Sequence, residues 1–79
     1  MINADEIFIV SASGGAWEDA WYYDHVIIGR ENADKAFDEA VNDAEDGDTD
    51  DITLRSAYVA EDGTIRPKDG EPIRMWRCY

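Results

Sequence analysis

The 79-residue chain is long enough for one small domain, and its 44% hydrophobic content with clear apolar periodicity argues against a disordered acidic tail. Its 19 acidic and seven basic residues give a formal net charge of −12. This balance disfavours direct nucleic-acid binding, because phosphate contacts require lysine and arginine. The acid is unevenly distributed: residues 1–51 carry 15 acidic and two basic residues, whereas residues 52–79 carry four and five. Such a field attracts basic surfaces, so a basic protein is the natural partner.

Cysteine usage and hydropathy predict a cytoplasmic protein, in the host cytosol if it is phage-encoded. The only cysteine, Cys78, cannot form an internal disulfide, which favours a reducing compartment. No apolar run approaches membrane-spanning length, so no membrane partner is expected. The N-terminal MINADEIF also lacks the basic region of a signal peptide.

The first two predicted elements form an antiparallel hairpin. Residues Glu6–Ser13 contain four consecutive β-formers, which indicates a strand with both faces covered or one exposed apolar face. Gly14 and Gly15 end this strand, and the connection to the next is longer than a tight turn. In the second strand, Trp21–Gly29, successive side chains point to opposite faces of the sheet. One of its faces carries Trp21, Tyr23, His25 and Ile27, and the other carries Tyr22, Asp24, Val26 and Ile28.

The stretch Asn32–Asp51 predicts an amphipathic helix that runs into an acidic loop. Asn32 is a suitable N-cap, and Gly47 is well placed to end the helix. The apolar face has the spacing of one helical stripe. It comprises Ala33, Ala36, Phe37, Ala40, Val41 and Ala44.

Three further segments complete the predicted sheet. Ile52–Ala60 forms a third strand, Glu61–Gly63 a hairpin turn, and Thr64–Arg66 a short return strand that Pro67 ends. Ile73–Tyr79 is the last strand. We predict a single α+β domain over residues 1–79, with an antiparallel β-sheet and one α-helix packed on one face. The order is β-β-α-β-β, with an additional short strand left open.

The acidic loop resembles a calcium-binding loop only in part. Counted from Asp46, the first, third and fifth positions are Asp46, Asp48 and Asp50. The sixth position is Asp51 instead of glycine, and the twelfth is Ala57 instead of glutamate. We therefore predict a solvated loop and no metal site, and keep cation binding by the three alternate aspartates as a minor hypothesis.

The helix acids favour a partner-binding surface over a merely solvated face. A solvated helix usually carries compensating lysines one turn away, and Lys35 is the only one here. The acids at the C-terminal end also oppose the helix dipole. Exposed aromatics beside charge are typical interface anchors. The predicted partner-binding residues are Asp34, Asp38, Glu39, Asp43, Glu45, Asp46, Asp48, Asp50, Asp51, Trp17 and Trp21.

No arrangement of residues predicts catalysis. His25 has Asp24 beside it, but adjacent strand residues point to opposite faces. No serine or cysteine nucleophile accompanies the histidine, and Cys78 has no CxxC partner. Gly14 and Gly15 lack the other glycines of a phosphate loop. We therefore expect no enzymatic activity, no catalytic residue and no cofactor.

A resemblance accompanies these patterns. The run Phe8-Ile9-Val10-Ser11, then Gly15, Trp17-Glu18-Asp19 and Trp21, then Ala33-Asp34-Lys35-Ala36-Phe37 resembles small uncharacterised proteins of phage and bacterial genomes. In size, acidity and layout the chain is also similar to phage-encoded inhibitors of host defence, including anti-CRISPR proteins and DNA mimics. The resemblance implies a mobile-element origin and assigns no residue a function. Many DNA mimics spread acid over the whole surface, whereas the last third of this chain is near neutral.

Two functional hypotheses follow. The first is a non-enzymatic inhibitor or modulator that offers its acidic helix to the basic surface of a nucleic-acid-binding protein or complex, with DNA mimicry as one mode of binding. The second is a homodimeric structural or assembly module of a phage or bacterium, whose acidity serves solubility.

Overall fold

The computed structural model describes residues 6–15, 20–44 and 49–77, and it confirms an α+β fold with an antiparallel sheet and one helix. The element order is β-β-α-β-β-β, so the additional short strand that the prediction left open is present. The elements are β1 (Ile7–Gly14), β2 (Trp21–Ile28), α1 (Arg30–Ala44), β3 (Thr49–Val59), β4 (Ile65–Pro67) and β5 (Arg74–Arg77).

The sheet has the strand order β2-β1-β3-β4, and β5 also pairs with β3. The long strand β3 serves two partners: residues 51–54 pair with β5, and residues 57–59 pair with β4. Both β2 and β3 run antiparallel to β1, so they are parallel to each other. The helix connects these two strands and contacts β1, β2 and β3. The strand β2 therefore lies at an edge of the sheet.

The helix covers one face of the sheet, called here the helix face, and this face holds the main core. Strand alternation directs Phe8, Val10 and Ala12 of β1 towards the helix, beside Ile52 and Leu54 of β3. The predicted apolar stripe of α1 packs against them, which confirms the helical periodicity. Its buried members are Ala33, Phe37 and Ala44, and Ala36, Ala40 and Val41 are half-buried.

The opposite face, called the open face, carries no helix but still buries Ile7, Ile9 and Ala57. The sheet curves around this face. The curvature brings Tyr22 of β2 and Pro67 of β4 to the same depression, although their strands lie at opposite sides of the sheet. The four consecutive β-formers in β1 are therefore covered on both faces, which is the first of the two predicted alternatives.

The helix begins at Arg30, three residues before the start that an N-cap at Asn32 predicts. Gly29 adopts a φ of 95°, a left-handed conformation that favours glycine, and its carbonyl accepts a hydrogen bond from Ala33 N at 3.0 Å. The N-cap prediction for Asn32 is wrong, because this residue lies inside the first turn. Its Nδ2 donates to Ile28 O at 3.1 Å, back towards the strand. Gly47, predicted to end the helix, lies outside the described residues.

The turn between β3 and β4 forms where the sequence predicts it. Gly63 has a φ of 87°, and its N–H donates to Ala60 O at 2.9 Å. Asp62 Oδ1 accepts hydrogen bonds from Thr64 Oγ1 at 2.6 Å and Thr64 N at 3.1 Å. Both hydrogen bonds lower the pKa of Asp62, and the bond from the Thr64 hydroxyl has the larger effect. The strand that follows ends at Pro67, which pairs with Ala57 as the last residue of β4.

Candidate partner-binding surface

The acidic face of α1 divides into a neutralised part and an unpaired part. In the neutralised part, Arg74 of β5 reaches the helix, with Nη2 at 2.9 Å from Asp38 Oδ1 and Nη1 at 3.4 Å from Asp34 Oδ1. Arg30 Nε lies 3.2 Å from Asp34 Oδ2. The Arg74 guanidinium also lies 4.4 Å from the ring centroid of Phe37. Asp34 and Asp38 are therefore held by the fold itself.

This pairing corrects the expectation that the helix acids lack compensation. The compensating charge comes from Arg74, which is 36 residues beyond Asp38 in sequence, and not from a lysine one turn away. Lys35 forms no ion pair with any residue that the structure describes. Strand alternation in β5 puts Arg74 on the helix face. The ion pairs of Arg74 could be predicted from this alternation only if the pairing of β5 with β3 were known. The sequence does not reveal that pairing.

The unpaired part consists of Glu39 and Asp43, both exposed. Neither carboxylate forms an ion pair with a residue in the described ranges. They line a groove of about 260 Å³ between α1 and β2, opposite Tyr23 and His25. Ala40 also lines this groove, and its small side chain leaves room between the helix and the strand. The result is an acidic channel with an aromatic wall along the edge of the sheet.

The aromatic wall is a continuous row on the helix face of β2. The rings of Trp21 and Tyr23 stack with centroids 5.6 Å apart and planes 13° apart, and Tyr23 meets His25 edge-on at 4.8 Å. Trp21, predicted as an anchor, is half-buried against the core. Tyr22 on the opposite face is more accessible, with 67% of its surface exposed. The other predicted anchor, Trp17, lies outside the described residues.

The two aspartates at the start of β3 belong to the strand and not to a loop. Asp50 is exposed, whereas Asp51 is half-buried on the open face. Asp51 Oδ1 is buried and lies 3.1 Å from Arg77 Nε, in an ion pair without hydrogen-bond geometry. Asp51 is therefore paired within the sheet. The other predicted loop residues, Glu45, Asp46 and Asp48, lie outside the described residues.

A small polar cluster occupies the open face of β1 and β2. Asp24 Oδ1 accepts hydrogen bonds from Ser11 Oγ at 2.5 Å and from Tyr22 Oη at 2.6 Å. The bond to Asp24 stabilises the protonated phenol and raises the pKa of Tyr22, although interaction with Ser11 opposes the shift. His25 points to the other face, as alternation predicts. The cluster therefore turns the Asp24 carboxylate inward over β1.

Within residues 6–15, 20–44 and 49–77, no group of three His, Cys, Asp or Glu side chains is arranged to hold a metal ion. The same ranges contain no helix with the length and hydropathy needed to cross a membrane. No protein-family model matches the chain, and no curated protein or solved structure is significantly similar to it. The function is therefore inferred from the surface chemistry of the chain itself.

Proposed function

We propose that the protein is a non-enzymatic acidic inhibitor or modulator, which binds a basic surface of a nucleic-acid-binding protein or complex in the cytoplasm of a phage-infected or bacterial cell. The proposal rests on a difference in pairing between the basic and the acidic side chains. All five arginines are engaged within the fold, whereas Glu39 and Asp43 remain exposed and unpaired among the described residues. The fifth arginine, Arg55, donates to Gly70 O.

The unpaired carboxylates suit a partner that normally binds phosphates. Glu39 and Asp43 are one helical turn apart, about 6 Å along the axis at 1.5 Å per residue. This pair takes the role expected of Asp34 and Asp38, which Arg74 holds. The net charge of −12 steers a basic partner towards the protein and makes association dependent on salt.

The proposal is tested by affinity capture from bacterial lysate with a matched pair of variants. In the first, Glu39→Gln and Asp43→Asn remove two charges from the groove. In the control, Glu61→Gln and Asp69→Asn remove two charges from exposed turns away from it. We expect the natural protein and the control to capture a nucleic-acid-handling complex at low salt and to release it at high salt. The groove variant should capture little at either salt concentration.

Two results would contradict the proposal. One is equal capture by the groove variant and the control, since the two carry the same net charge. The other is capture that does not change with salt. Circular dichroism and thermal unfolding of both variants establish that a loss of capture is not a loss of folding.

Exposed apolar side chains favour one second candidate, a self-associating assembly module. These side chains surround the buried part of the open face. A second copy of the chain that packs on this face would cover them. They are Val26, Ile28, Val59 and Ile65, each with 41–54% of its surface exposed. This function predicts a dimer by light scattering that persists at high salt and ignores basic proteins.

A further inference from the structure

The outer edge of β2 presents backbone groups that no described strand uses. β2 is the terminal strand, and Gly29 N just beyond it donates to Glu6 O at 2.6 Å. In an antiparallel pair, hydrogen-bonded residues alternate with non-bonded ones. The odd-numbered residues of β2 therefore bond to β1, and the even-numbered ones point their N–H and C=O groups away from the sheet. The outward residues are Tyr22, Asp24, Val26 and Ile28.

The edge has few of the features that normally block strand addition. Its eight residues contain no proline or lysine, and they pair with β1 in continuous register without a bulge. Its one negative charge, Asp24, is directed back over the sheet by the hydrogen bond from Ser11. Among the described residues, no strand pairs with this side of β2, so an extended segment can approach its backbone from Tyr22 to Val26. At Ile28, the carbonyl already accepts a hydrogen bond from Asn32 Nδ2.

The two sides of this edge differ in chemistry. On the helix face, Tyr23 and His25 lie beside the unpaired carboxylates Glu39 and Asp43. On the open face, Val26 and Ile28 expose about half of their surface, 51% and 48%. A strand added at this edge would direct alternate side chains to the two faces. Cationic side chains would meet the carboxylates, and apolar side chains would meet the two aliphatic residues.

We propose that the β2 edge binds an extended segment of the basic partner as an additional strand, and that cationic and apolar residues alternate in this segment. The proposal rests on the proposed function and specifies which part of the partner is recognised. Main-chain hydrogen bonds would supply affinity, and the alternation of faces would supply specificity.

Charge favours a basic segment over a second copy of this chain as the occupant. Pairing two β2 edges would bring the acidic grooves of both copies together, with Glu39 and Asp43 on each side. Like charges brought this close repel each other, whereas a cationic segment removes this repulsion.

The first experiment uses a defined probe, a seven-residue peptide in which lysine and valine alternate. We measure its affinity by fluorescence anisotropy, against a peptide of the same composition with the lysines grouped at one end. The alternating peptide should bind more tightly than the grouped one. The groove variant with Glu39→Gln and Asp43→Asn should weaken its binding about threefold to tenfold at low salt, and the turn control should not. Equal affinity of the two peptides would overturn the proposal.

Backbone methylation tests strand addition directly. Only alternate residues of an added strand direct their N–H groups towards β2. One peptide is methylated on the valine nitrogens and the other on the lysine nitrogens. We expect one of the two to lose binding and the other to retain it, and the one that fails reports the direction of the added strand. Equal effects of the two methylations, whether both bind or both fail, would contradict strand addition.

Amide hydrogen exchange locates the contact. In the free protein, the outward amides of Tyr22, Asp24, Val26 and Ile28 should exchange faster than those of Tyr23, His25 and Ile27. The alternating peptide should slow the outward set selectively. Protection of the outward amides in the free protein that increases with protein concentration would overturn the proposal in favour of a second copy.

The outcomes separate this inference from the proposed function. If the groove variant loses capture of the lysate partner while the peptide leaves the outward amides unprotected, the partner binds the acidic surface without adding a strand. If the peptide protects those amides while the groove variant still captures its partner normally, the edge binds peptides and the proposed function fails.

Discussion

The two faces of the sheet differ in what their side chains do. The helix face encloses Ile52, Leu54 and Ala33 with no exposed surface, and Phe37 with 4%. The open face has a smaller buried patch, and beyond it lie polar groups joined in pairs, such as Tyr22 with Asp24. Because apolar burial dominates stability and exposed ion pairs contribute little, the helix face should carry most of the folding free energy. The open face and the β2 edge are therefore less constrained by folding and more available for recognition.

The largest expected effect concerns the core of the helix face. Leu54→Ala removes a fully buried side chain between β3 and the helix, and should lower the free energy of unfolding by about 2–5 kcal/mol. Val59→Ala on the open face, where Val59 is 54% exposed, should cost less than about 1 kcal/mol. Urea denaturation followed by tryptophan fluorescence measures both. Similar losses for the two variants would contradict the difference between the faces.

A smaller effect should separate two arginines of the same strand. Arg74 lies on the helix face and contacts Asp34, Asp38 and the Phe37 ring, whereas Arg77 lies on the open face and pairs with Asp51. Arg74→Gln should lower the free energy of unfolding by about 1 kcal/mol, since it removes a cation–π contact and two partly exposed ion pairs.

Arg77→Gln is the matched control, because it removes one charge from the same strand. Its ion pair is about half-exposed, so the expected loss is below about 0.5 kcal/mol. The same urea titration compares the two variants at equal ionic strength. A larger loss for Arg77→Gln would mean that the buried oxygen of Asp51 depends on this pairing, and that the open face contributes more stability than burial indicates.

Local periodicity predicted much of this fold. The helical stripe from Ala33 to Ala44 and the alternation of β2 both recur in the structure, because one packing surface forces each pattern. The Glu61–Gly63 turn was predictable from its residue types. The start of the helix was not predictable in this way. Gly29 adopts a left-handed conformation, so the chain passes from strand to helix before it reaches Asn32, the predicted N-cap.

The candidate site was predictable only in part. Its acidity is visible in the sequence, and Glu39 and Asp43 were among the residues expected to bind a partner. Which acids the fold neutralises depends on the pairing of β5 with β3, which no local pattern encodes. The aromatic wall also depends on long-range packing, since the helix must cross beside β2 for Tyr23 and His25 to face the carboxylates. Local patterns supplied the residue types, and tertiary pairing selected among them.

The smallest expected effect is a pH dependence on the open face. The hydrogen bond to Asp24 raises the pKa of Tyr22 above its ordinary value of 10.0. Because the folded pKa is the higher one, this contribution to stability is complete below about pH 10 and is lost as the pH rises through the folded pKa. We expect near-ultraviolet titration of the folded protein to contain a late phenolate component. That component should be absent from the Tyr22→Phe variant.

Asp24→Asn distinguishes the hydrogen bond from a general effect of net charge. It removes the carboxylate that accepts the Tyr22 hydroxyl, so the late component should move to lower pH. Asp50→Asn removes one charge from an exposed position outside this cluster and should leave the component unchanged. If both variants shift it equally, the overall negative charge raises the Tyr22 pKa. The hydrogen bond to Asp24 would then not be the main cause of the raised Tyr22 pKa.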